Sequence, residues 1–149
     1  MRALAALGFL LAVAGCDSVG GGRELDLRSS VSVDSREALA DARDRWRAGG
    51  MESYRMRYEV VCFCAPLSVE VHVEDGRIVA SETEGGAPSV VDVDGLYEVA
   101  LDAYDRGAAS VVVRVTDTGP PVPVEVVVDW EEIIADDEVG YHVVAFEAR

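Results

Sequence analysis

The sequence predicts an α+β fold of two tandem αβββ units, with helices packed on antiparallel sheet. Three observations predict it: two windows of helical periodicity with capping residues, several windows of period-two alternation, and the same order of both in each half of the chain. The repeat is one of element order, not of residue identity.

The first helix opens at Ser35, whose hydroxyl suits an N-cap. Leu39, Ala42 and Trp46 recur on one face before Gly49-Gly50 stops it, and Trp46 is the expected core anchor. In the first strand Tyr54, Met56, Tyr58, Val60 and Cys62 point one way while Arg55, Arg57 and Glu59 point the other. The second sets Leu67, Val69, Val71 and Val73 against Ser68, Glu70, His72 and Glu74, and Asp75-Gly76 then turns a tight hairpin into a third strand over residues 78–81. In the second half Asp94 is the expected cap of a helix whose face is Tyr97, Ala100, Leu101 and Tyr104, with Gly107 as its stop. Strands through Val111, Val113 and Val115 and through Val124, Val126 and Val128 flank the turn Thr118-Gly119-Pro120-Pro121, and residues 141–146 form the closing strand.

Ahead of this domain lies a different kind of segment. Arg2 precedes an apolar run over residues 3–14 that closes on Val13-Ala14-Gly15-Cys16, which resembles the lipobox of bacterial lipoprotein signal peptides. The run is shorter than the ~20 residues a spanning helix needs. The resemblance implies cleavage before Cys16, a diacylglycerol on its thiol and an acylated amino group. The expected organisation is therefore a signal peptide over residues 1–15, a lipidated flexible tether over 16–34 that includes Gly20-Gly21-Gly22, and a single α+β domain over 35–149. Through its N-terminal lipid the protein is expected on a bacterial membrane, facing the periplasm or the surface.

Composition narrows what such a domain does. The chain carries 28 acidic against 13 basic residues, a net charge of −15, so nucleic acid and anionic head groups repel it. Every basic residue is arginine; lysine, asparagine and glutamine are absent, which removes Schiff-base lysines, phosphate-loop lysines and side-chain amides in an oxyanion hole. His72 and His142 are the only histidines, and no common catalytic motif occurs. The expectation is a non-enzymatic module, without cofactor or resident metal, that binds an envelope protein or a small ligand, edge-strand pairing being one mode.

Cys62-Phe63-Cys64 is the main chemical candidate. If Cys16 is consumed by lipid, Cys62 and Cys64 have only each other as intramolecular partners. Residues two apart on an ideal strand have Cα atoms ~6.6 Å apart, at the upper edge for a disulfide, so a bulge or fraying before Ala65-Pro66 has to close the gap. Three readings stay open: a structural or buried pair, a redox-active dithiol, and a soft-metal site for an ion such as Cu(I). His72 as a further ligand is opposed by alternation, which turns it away from the core face.

The acidic residues Asp129, Glu131, Glu132, Asp136, Asp137 and Glu138 lack the spacing of a calcium loop and read as a solvated connection. His142, alternating with Tyr141 and Val143, is expected on the solvent side. Tyr54, Tyr58, Tyr97 and Tyr104 read as packing residues with polar tips.

Trp46, Ser53-Tyr54, Cys62-Phe63-Cys64, Asp75-Gly76, Asp94-Gly95-Leu96 and Asp136-Asp137-Glu138-Val139-Gly140-Tyr141 together resemble the domain-of-unknown-function family numbered 6174, over residues 43–146. The resemblance implies a compact bacterial envelope domain, often lipid-anchored, with a fold-level likeness to periplasmic inhibitor and PepSY-type modules. It implies no particular activity. The chain departs from the family in its last hairpin, where Thr118-Gly119-Pro120-Pro121-Val122-Pro123 keeps the glycine and proline of a Tyr-Gly-Tyr-Pro-like turn but not the tyrosines.

Overall fold

The computed structural model describes residues 22–63, 65, 67–85, 89–134 and 136–149. Its elements in chain order are β1 (Arg23–Glu24), β2 (Ser30–Ser32), α1 (Arg36–Ala48), β3 (Tyr54–Cys62), β4 (Leu67–Glu74), β5 (Arg77–Glu84), α2 (Val93–Arg106), β6 (Ser110–Thr116), β7 (Pro123–Asp129) and β8 (Val139–Ala148). The strands form an eight-stranded antiparallel sheet in the order β2-β6-β7-β8-β3-β4-β5, with β1 added beside β8. The two helices pack on each other and lie over one face.

From α1 onward the order of elements is helix and three strands, then helix and three strands. The two halves do not stand apart. β3 pairs with β8 along its whole length, from Tyr54 opposite Ala148 to Cys62 opposite Val139, so the sheet and the core beneath it are continuous.

Sequence accounts for most of these elements. The Ser35 hydroxyl accepts the Ala38 amide at 3.1 Å, and Leu39, Ala42 and Trp46 are buried. Trp46 meets Tyr54 and Phe146 edge-on, while those two rings stack on each other at 4.9 Å between centroids. The inward side chains of β3 and β4 are buried down to the last pair. Asp75 and Gly76 both hold positive φ, the geometry a two-residue hairpin requires. The strand after that turn runs on to Glu84, and a bulge at Val79 interrupts its pairing with β4.

Two expectations are corrected. Asp92, not Asp94, caps α2: its carboxylate accepts the Gly95 amide at 2.8 Å, while Asp94 sits in the first turn and pairs with Arg47 at 2.6 Å. The reason is Val93, whose complete burial makes it the first inward residue of the helix. The polar stretch 22–34, read as tether, is held on the sheet. β1 and β2 pair with β8 and β6, Leu25 donates to the Phe146 carbonyl, Val33 donates to that of Val113, and Val33 is buried. Backbone pairing to a free strand edge needs few apolar side chains, so composition does not reveal it. In β8 alternation breaks at Val144, which has no partner between the Arg57–Ala145 and Tyr58–Val143 pairs. That bulge turns Phe146 inward after Val143.

Candidate functional site

The tyrosines that sequence assigns to packing also complete a helix terminus. The Tyr54 hydroxyl accepts the Val93 amide at 3.1 Å and the Tyr58 hydroxyl accepts that of Val91 at 3.0 Å. Two residues of β3 thus satisfy backbone donors at and just before the start of α2, where a helix leaves its first amides without internal partners. From α2 itself, Tyr97 donates to the Pro121 carbonyl at 2.6 Å. Burial pushes all three phenols above their ordinary pKa, the accepted amide bonds pulling Tyr54 and Tyr58 partly back. These hydroxyls are committed to the fold.

The histidines stand on the opposite side of the sheet, as alternation predicts. His72 Nε2 lies 3.1 Å from Glu70 Oε1, and His142 Nδ1 lies 3.8 Å from Glu125 Oε1. Register puts both on the face away from the one that carries Cys62. Cys62 ends β3 half-exposed and is not free. Cys64 and Cys16 both lie outside those residues, as does the lipobox-like run.

The acidic residues 129–138 form the connection from β7 to β8. Among the described residues no group of three or more His, Cys, Asp or Glu side chains is placed to hold a metal ion. The start of this connection is pinned to α2, where Arg106 lies 4.4 Å over the Trp130 ring and also pairs with Asp102 at 3.0 Å. Beyond Trp130 the chain is solvated and carries Ile133 at 91% exposure.

The sheet itself carries a feature that period-two reading passes over. On the face of the sheet away from the helices, register places Val112, Val127, Gly140 and Val61 side by side across β6, β7, β8 and β3. Val112 and Val61 are exposed, Val127 is half-buried, and Gly140 leaves the row low: a Cβ there would stand 3.6 Å from Val127 and 3.1 Å from the His142 ring. Phe63, 83% exposed, follows Val61 at the same end, and Ile133 and Ile134 reach that end from the β7–β8 connection. One row further along the sheet the residues turn polar, as Arg114, Glu125, His142 and Glu59. A signal for the apolar row exists in the sequence: Val60-Val61, Val111-Val112-Val113 and Val126-Val127-Val128 put apolar residues on the outward positions too.

A family model described as "Family of unknown function (DUF6174)" matches residues 38–148. The chain belongs to the DUF6174 family. The match takes in both helices and the strands β3 to β8 and leaves β1 and β2 outside. No curated protein and no solved structure matches the chain. Among the described residues of this DUF6174 member, no helix is long and apolar enough to cross a membrane.

Proposed function

We infer that this DUF6174 member is a lipid-anchored module of a bacterial envelope that binds a partner rather than turning over a substrate. One observation carries the reading. Of the nine exposed large apolar side chains among the described residues, five (Val61, Phe63, Val112, Ile133 and Ile134) fall at one end of the sheet. A cluster of this kind on a strongly charged domain marks a contact surface. The lipobox-like sequence supplies the anchor, through Cys16, and the residues after it reach the domain at β1.

Cys62 and Cys64 are read as a disulfide that closes the end of β3. Support comes from Cys62, which is not free, and from the chain, in which the consumption of Cys16 by lipid leaves Cys64 as its partner. A redox role for the pair is the second reading, favoured by the half-exposure of Cys62 at a strand end.

The anchor is tested by expressing the full chain and its Cys16→Ser variant and partitioning cell extracts between detergent and water. The native chain is expected in the detergent phase, with an N-terminal peptide carrying acyl mass, and the variant in the aqueous phase. A variant that stays with detergent refutes lipid anchoring. Intact mass after thiol alkylation, with and without reductant, reads the disulfide. A pair that cycles at the potential of known dithiol donors would favour redox chemistry over a clasp.

A further inference from the structure

We propose that the apolar tip is a docking surface for a folded protein that presents an apolar socket rimmed by arginine or lysine. This deepens, and rests on, the reading of the chain as an anchored binding module. The centre of the surface is the row Val112, Val127 and Val61 with Phe63 beyond it, and Ile133 stands out from the neighbouring loop. Side chains exposed to the degree of Phe63 and Ile133 gain most from burial. An apolar centre of this size with a polar rim has the anatomy of a protein interface.

Charge decides among occupants. Glu131 and Glu132 precede Ile133, Asp136 and Glu138 follow Ile134, and all four are exposed; Glu59 borders Val61 on the next row. The arginines nearby are already engaged, Arg114 by Ser30 and Arg106 by Asp102 and Trp130. A second copy docking by the same surface would bring two carboxylate rims together on chains that each carry −15. An anionic membrane meets the same repulsion. A basic rim does not.

Position agrees. The chain enters the sheet at β1, beside the last residues of β8, whereas the tip lies at the first residues of β8, about 30 Å away along the strand. With lipid on Cys16, the seven residues to Arg23 span at most about 24 Å, so the tip is the end of the sheet farther along the chain's path from the anchor.

Photocrosslinking of the full chain in its own envelope tests the proposal. Benzoylphenylalanine is placed at Phe63, at Ile133 and, as a control on the β5 edge, at Val79. The expected result is an adduct with one other protein from positions 63 and 133 but not from 79. Its crosslinked peptide is expected to carry arginine or lysine, and the adduct to fall about tenfold in the variant E131R/E132R. An adduct with a second copy or with lipid, equal adducts from all three positions, or a yield indifferent to E131R/E132R overturns the proposal. An adduct from 79 alone removes the tip while leaving a binding module; silence at all three positions removes both.

Discussion

Tyr54→Phe deletes one oxygen and leaves the aromatic stack with Trp46 and Phe146 in place. What it strands is the Val93 amide, which is buried and donates to that hydroxyl. An unsatisfied buried donor costs about 1–3 kcal/mol. Tyr58→Phe provides the comparison, because the Val91 amide it releases is only partly buried, where water replaces the lost partner. That change should cost about 1 kcal/mol or less. With an m-value of roughly 1.5 kcal/mol/M in urea, the midpoint should drop by about 0.7–2 M for Tyr54→Phe and by less than about 0.7 M for Tyr58→Phe. The assay is equilibrium urea denaturation of the domain, followed by far-UV circular dichroism. If Tyr58→Phe is the more costly change, or Tyr54→Phe is neutral, the capping of α2 from β3 is wrong.

All five tyrosines have pKa values raised above the ordinary phenol value, burial being the first cause in each. Because the folded values exceed the unfolded one, their contribution is fully present below about pH 10 and is lost as pH rises through the folded values. Tyr54 and Tyr97, whose shifts are large, should therefore ionise only together with loss of circular dichroism, and complete tyrosine ionisation near pH 10 in the native domain contradicts this. Trp46→Ala removes the ring that two other aromatics meet edge-on, and should cost about 3–5 kcal/mol in the same urea assay. A chain beginning at Ser35 loses β1, β2 and the buried Val33; its thermal midpoint should fall several degrees below that of a chain beginning at Gly22. An unchanged midpoint would return residues 22–34 to the role of a tether.

The parts of the fold legible in sequence were those written in side-chain polarity. Leu67, Val69, Val71 and Val73 declare a strand because each inward position is apolar and each outward one is not. Ser35, Gly107 and Asp75-Gly76 mark boundaries through chemistry local to the backbone. β1 and β2 were illegible because their residues contribute backbone groups to strands that lie far off in sequence. The bulge at Val144 and the choice of Asp92 over Asp94 depend on what packs opposite, and the partners of the tyrosine hydroxyls are equally non-local. For the site, Phe63 and Cys62 were noticed for sulfur chemistry, while the row Val112, Val127 and Val61 needed the register of four strands before it became one surface.

The pairing of β3 with β8 also governs when this protein can fold. β3 is made well before β8, so Tyr54 waits for Ala148 and the central seam of the sheet stays open until β8 arrives. Until then the β3–β4–β5 meander has one face and one edge uncovered, and contacts of such long sequence separation form slowly. Arrival of β8 is therefore the step that closes the seam between the two halves and locks the domain.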